Sequence, residues 1–231
     1  MENQISAFYT LTGEQRELII PAIYEGLNEF EKQYVSLSKL KTNKNFHSRL
    51  RSAFVNTSIS EVVENNPQLN MRATEGRSGY YYYTLLTDMK RNINVLVSNL
   101  PNKMYIFNPS VYRYYFASYN IERMFADGFE HEQIGKNVDI STSQTLLFTD
   151  TEYLPFGLVL CYDGNLGKDT RIFEGALQPS QEEWLFKLDV TDFNNLPNNI
   201  TTVQRAKNNI ELELKKNVFA IEEEIIPLKL K

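Results

Sequence analysis

The stretch Phe156-Gly157-Leu158-Val159-Leu160-Cys161-Tyr162 is the clearest buried strand in the chain, and the segments after it set the class of fold. Asp163-Gly164-Asn165-Leu166-Gly167-Lys168 supplies turn residues, and Arg171–Leu177 returns over the length of a second strand. A short apolar run bounded by turn residues is the pattern of a strand covered on both faces. Two such runs joined by a short polar loop predict an antiparallel hairpin. Trp184–Val190 is expected to add another strand.

Upstream, Tyr80–Leu86 and Ile93–Ser98 are rich in strand formers and flank the polar segment Thr87-Asp88-Met89-Lys90-Arg91-Asn92. They predict a second hairpin with a basic tip. Met104–Phe107 is expected as a short strand. A helix opened by Asn108 or Ser110 should run to about Phe125, with Val111, Tyr112, Tyr115, Phe116, Tyr119 and Phe125 as its apolar stripe. Asp127-Gly128 should end it. Residues 130–152 are polar except for Leu146-Leu147-Phe148 and are expected to form a long loop.

The N-terminal third has a helical texture. Over residues 12–35, Leu18, Ile19, Ala22, Ile23, Leu27, Phe30 and Tyr34 follow a 3.6-residue period. Thr12 with Gln15 three residues on forms a capping box. Pro21 inside this pattern either kinks the helix or starts a new one. A second helix is expected over 45–56, and a short third from Ser58 to Glu64, stopped by Asn65-Asn66-Pro67. At the other end, residues 201–226 carry Val203, Ala206, Ile210, Leu214, Val218, Ile221 and Ile225 at helical steps. The Ile210-Leu212-Leu214 alternation leaves a strand as the alternative there.

Helices, then a mostly antiparallel sheet interrupted by a helix, then a long C-terminal helix: this order predicts an α+β fold. Residues 1–231 are read as one domain. The alternative division is a helical N-terminal part, 1–66, and a sheet-containing part, 67–231.

Composition narrows the class. The 231 residues are 42% apolar and 23% charged, with 10 Gly and 8 Pro, which is ordinary for a globular chain. No run of 18 apolar residues predicts a membrane span. Met1–Thr10 lacks the basic and apolar regions of a signal peptide. Cys161 is the only cysteine, so neither an intramolecular disulfide nor a multi-cysteine zinc site can form. These features predict a cytoplasmic protein without membrane association. The net charge of −5 conceals a basic third, because residues 36–91 hold nine Lys/Arg against four acids.

Catalytic motifs are scarce. A serine or cysteine nucleophile needs a base, usually histidine, and only His47 and His131 exist. Glu130-His131-Glu132 lacks the second histidine of a zinc helix. Gly164-Asn165-Leu166-Gly167-Lys168 has phosphate-loop elements but lies between strands rather than before a helix. No motif calls for a cofactor. Metal-dependent nucleases hold Mg²⁺ with acids beside a lysine. Asp163 at a strand end and Glu213-Leu214-Lys215 offer that combination, against the simpler account of a solvated helix face.

Aromatic and basic residues give a different signal. The run Tyr80-Tyr81-Tyr82-Tyr83 comes after a lead-in, expected to be flexible, that contains Arg72 and Arg77, and Lys90 and Arg91 occupy the hairpin tip. Tyrosines stack on bases or fill protein interfaces, and arginine serves both. The competing account packs these rings on a helix with the hydroxyls reaching solvent.

Two stretches resemble uncharacterised proteins of low-GC Gram-positive bacteria and their prophages. One is Phe46-His47-Ser48-Arg49-Leu50-Arg51-Ser52-Ala53-Phe54. The other is Phe156–Tyr162 with Arg171–Leu177 and Gln181-Glu182-Glu183-Trp184. The resemblance spans about a quarter of the chain and implies a bacterial or phage setting, with no activity to carry over. The expectation is a non-enzymatic binding protein. Arg72, Arg77, Tyr80, Tyr81, Tyr82, Tyr83, Lys90 and Arg91 would engage a protein partner, such as a host regulatory or defence factor, or nucleic acid. A divergent nuclease using Asp163, Glu213 and Lys215 is the alternative, and a homo-oligomer is a third expectation.

Overall fold

The computed structural model describes residues 2–37, 44–79, 81–100, 105–130, 134, 154–163 and 170–194. It is an α+β structure built on one mixed six-stranded sheet. Helices α1 (Glu2–Tyr9), α2 (Gly13–Leu37) and α3 (Lys44–Asn65) come first, then a 3-10 turn at Pro67–Leu69. Strands β1 (Met71–Ser78), β2 (Tyr81–Asp88) and β3 (Ile93–Asn99) come next. After the short helices α4 (Val111–Ala117) and α5 (Asn120–Ala126) lie β4 (Phe156–Asp163), β5 (Arg171–Leu177) and β6 (Trp184–Asp189).

The strands are arranged in chain order, β1-β2-β3-β4-β5-β6. Four of the five neighbouring pairs are antiparallel, and β3–β4 is parallel, with Ile93 opposite Phe156 and Asn99 opposite Tyr162. A parallel pair needs a crossover too long for a hairpin turn. Here the chain between residues 99 and 156 makes it, carrying α4 and α5. This is why β4 is apolar at nearly every position: it sits inside the sheet with both faces covered, and all eight residues are buried.

Register sorts the side chains into two layers. One face presents Met71, Leu86, Val95, Leu158, Leu160, Ile172 and Phe186, and they join Ile19, Ile20, Ile23, Val55 and Ile59 of α2 and α3 in the larger core. The other face presents Val159, Cys161, Phe173 and Leu177, which pack with Leu100, Phe107 and Ala117 in a smaller one.

Several local expectations are corrected. Helix α2 runs unbroken through Pro21, whose interior position normally costs about 3 kcal/mol. Ile19, Ile20, Ala22 and Ile23 around it are all buried, and that packing offsets the missing hydrogen bond. The Thr12–Gln15 capping box is present, with the Gln15 N–H donating to Thr12 Oγ1 at 3.2 Å and the Thr12 N–H to Gln15 Oε1 at 3.0 Å. The helices expected at 45–56 and Ser58–Glu64 are one helix, α3, because Val55, Ile59 and Val63 make a continuous buried stripe across the expected break. The lead-in Arg72–Gly79 is not flexible: residues to Ser78 form strand β1, paired along its length with β2.

The helix expected from Ser110 to Phe125 is divided at Ser118–Tyr119, and its buried face is not the expected stripe. Val111, Tyr115 and Phe125 are exposed, whereas Arg113, Ala117, Asn120, Ile121 and Met124 are buried. Residues 105–107 carry no strand. The expected loop at 130–152, the turn at 164–168 and the C-terminal helix at 201–226 lie outside the described residues, apart from Glu130 and Ile134.

Candidate functional site

The hairpin residues singled out from the sequence fall at two opposite ends of the sheet. Antiparallel pairing sets Arg77 opposite Tyr82 and Ser78 opposite Tyr81, at one end. Arg72 lies opposite Thr87, beside the turn that carries Lys90 and Arg91, at the other. Asp88 lies five residue steps along the strand from Tyr83, roughly 17 Å at the usual rise. The described residues of the eight therefore do not make one surface, and Tyr80 lies outside the described residues.

At the turn end, Arg91 is held inside a polar network. Its Nε donates to Asp88 Oδ2 at 2.8 Å, one terminal nitrogen to the Thr10 carbonyl at 2.7 Å and the other to Gln15 Oε1 at 2.9 Å. Gln15 Nε2 also donates to Asp88 Oδ2 at 2.9 Å, and Asp88 Oδ1 accepts the backbone N–H groups of Lys90 and Arg91 at 3.0 Å. Burial alone would push the Asp88 carboxyl up, but the hydrogen bonds from Gln15 and Arg91 hold it below the ordinary carboxylate range. Next to it, Arg16 makes a two-pronged bond to Glu174 at 2.9 and 3.0 Å, and the Leu11 N–H donates to Glu174 at 3.2 Å. Burial raises the Glu174 carboxyl against the opposing pull of Arg16. Together these bonds clamp the α1–α2 junction onto the sheet. Lys90 is exposed beside them.

At the tyrosine end, Tyr82 and Tyr83 part company, as alternation along a strand requires. Tyr83 lies across Gly76 on the neighbouring strand, where a Cβ would sit 2.3 Å from its ring. It also stacks on Tyr112 of α4 at 5.3 Å between centroids. Tyr112 in turn lies under the guanidinium of Arg113, which is sandwiched against Phe107 with both rings 4.8 Å away. Arg113 donates to the Tyr112 hydroxyl and to the Asn108 carbonyl. Tyr82 keeps 52% of its surface in solvent, with the Arg77 guanidinium 5.5 Å above its ring.

Tyr82 lines a groove of about 480 Å³ between α3 and the β1–β2 hairpin. Ala53, Asn56, Thr57, Ser60, Glu61 and Glu64 form the helical wall at helical spacing, so one face of the C-terminal half of α3 looks into the groove. Ala73, Thr74, Glu75, Tyr82, Tyr83 and Thr84 are on the strand wall. Helix α3 and β1 are joined by only five residues, so they run in opposite directions along it. Nothing in the sequence marked the helical wall, because polar residues on a helix normally signal a solvated face.

A smaller polar cavity of about 250 Å³ lies at the carboxyl end of β3, lined by Arg49, Ser52, Ser98, Asn99, Tyr112 and Arg113 among others. Asp163, the acid considered for nuclease chemistry, accepts from Arg171 Nη2 at 2.8 Å and from the Arg171 N–H at 3.2 Å, closing the β4–β5 hairpin. Glu213 and Lys215 lie outside the described residues. Among the described residues no group of three metal-ligating side chains converges, and no helix is long and apolar enough to cross a membrane.

No protein-family model, curated protein or solved structure matches this chain.

Proposed function

We propose that this chain is a non-catalytic binding protein that engages a protein partner at the tyrosine end of its sheet. The setting read from the sequence resemblance is a bacterium or phage, with a host regulatory or defence factor as the kind of partner. The observation that carries the reading is Tyr82, half in solvent at the wall of an open groove with Arg77 over its ring. Exposed tyrosine beside arginine is the composition of interface anchors.

The groove's charge favours protein over nucleic acid. Glu61, Glu64 and Glu75 are exposed on its walls and would repel phosphates. The basic residues that made nucleic acid attractive are divided, since Arg91 is engaged with Asp88 and Lys90 sits at the far end. The nuclease reading stands second, because within the described residues its only acid is Asp163, already bound to Arg171.

The test is co-purification from a bacterial lysate treated with nuclease, comparing the natural chain with Tyr82→Ala. A stoichiometric protein lost in the variant supports the reading. Recovery of nucleic acid alone, released by high salt, overturns it in favour of a phosphate-binding surface.

A further inference from the structure

The groove lies beside a sheet edge: its strand wall is made by β1 and by its inner neighbour β2. Strand β1 ends the six-stranded sheet, with β2 on one side and no strand on the other. Every second residue of an edge strand turns its N–H and C=O outward, and these groups template a further strand. Among the described residues no hydrogen bond joins the outer edge of Met71–Ser78 to another segment.

We propose that β1 is an acceptor edge. An extended segment of the partner, with lysine or arginine at alternate positions, adds to it as a seventh strand beneath the Ala53–Glu64 face of α3. This rests on the reading of the protein as a partner-binding module. Three features select the occupant. Backbone pairing supplies affinity to any extended chain, while pockets reached by alternate side chains supply selection. The pockets here hold Glu61, Glu64 and Glu75, which form no ion pair among the described residues, so basic side chains complement them. The groove has the right length: Ala53 to Glu64 spans roughly 16 Å of helix, matching about five residues of extended chain.

A second copy of this chain is a poorer occupant. Two-fold antiparallel pairing of β1 with itself keeps each side chain on its own face, so a second copy adds its own Glu75 to the acidic side of the groove. Centred on Glu75, it sets that carboxylate against its own copy. Like charges directly opposite destabilise a strand pair.

The probe is a nine-residue peptide alternating Lys and Val, with a Glu/Val peptide as control, added to the full chain. Affinity is read by anisotropy, and hydrogen exchange is measured amide by amide. The outward amides of β1 should exchange rapidly in the free protein and slow at least tenfold with the Lys/Val peptide. The Glu/Val peptide should bind at least tenfold more weakly. Glu61→Gln with Glu75→Gln should cost tenfold or more in affinity for the Lys/Val peptide, with unchanged melting. Unchanged β1 exchange at saturation, equal affinity for the two peptides, or no binding of either overturns the proposal. Carrying the same glutamine variant through the co-purification separates the two levels. A partner lost with Tyr82→Ala but kept by the glutamine variant removes the basic segment and leaves the proposed function standing. A partner retained by both variants removes both.

Discussion

The ring of Tyr83 lies against that of Tyr112 with 5.3 Å between centroids and 19° between planes, joining the β1–β2 hairpin to α4 across 29 residues of chain. Two neighbouring tyrosines of one run, both bordering the groove, thereby have different work: Tyr83 packs on Tyr112 and Gly76, and Tyr82 keeps half its surface in solvent. Tyr83→Ala should cost about 2 kcal/mol, because it uncovers Gly76 and removes the stacking partner of Tyr112. Tyr82→Ala should leave stability within about 0.5 kcal/mol of the natural chain, as exposed substitutions do. Denaturant melts of the two variants decide this, and equal stabilities would contradict the division.

Arg91 is predicted to be a folding residue and not a contact for a ligand. Arg91→Ala leaves Asp88, which has 3% of its side-chain surface exposed, without its cation and removes one donor each from the Thr10 carbonyl and Gln15 Oε1. A loss of about 2 to 4 kcal/mol is expected in urea denaturation, since breaking a mostly buried pair strands the remaining charge. Lys90→Ala should change stability by about 0.5 kcal/mol at most, as at other exposed sites.

Acid should weaken the same network. The folded carboxyl of Asp88 lies below its unfolded value, so its contribution is complete above about pH 4, the usual aspartate range. It is lost as pH falls from there through the lower folded value. In Asp88→Asn the chain should be less stable at about pH 7, and its stability should fall less steeply below about pH 4. Parallel stability curves for the two chains would show that Asp88 is not the group responsible.

Asn120 has no surface in solvent and makes three bonds to backbone: from Gly157 N–H at 2.7 Å, to the Gly157 carbonyl at 3.0 Å and to the Leu177 carbonyl at 3.1 Å. It holds the start of β4 to the end of β5. Asn120→Ala should cost about 3 kcal/mol or more, because each stranded buried group carries a penalty of its own. Gly157→Ala should be comparably damaging, since its Cβ would meet the Phe116 carbonyl oxygen at 2.0 Å. Thermal melting of both variants tests the clamp.

Cys161 should be inert in the folded protein. Burial pushes its thiol up to about 12, so little thiolate is present at about pH 8. Thiol reagents should label it only after denaturation, and labelling at the rate of a free thiol under native conditions would contradict its burial.

Much of the fold was legible where one residue type has one physical use. The Thr12–Gln15 box, the stop at Asn65-Asn66-Pro67 and the strands at Phe156 and Arg171 all arise from local rules. The misreadings share a cause. Pro21, Thr57-Ser58 and the arginine-rich lead-in have poor local propensity for the elements they occupy. Pro21 and Thr57-Ser58 are carried by packing against other elements and the lead-in by pairing with β2, so tertiary and cross-strand contacts override propensity. On α4 and α5 the error lay in hydropathy. Arg113 and Asn120 are buried through their bonds to Asn108, Tyr112, Gly157 and Leu177, while Tyr115 is left outside.

Periodicity and composition along the chain were enough to set the class of fold, the apolar central strand and the presence of tyrosine and arginine near one hairpin. Which tyrosine meets solvent, which arginine is engaged by a buried carboxylate and which strand is left at the sheet's edge emerged only in three dimensions. Those outcomes depend on register, since a one-residue step along a strand moves a side chain to the opposite face. They also depend on what the crossover between β3 and β4 lays over each face.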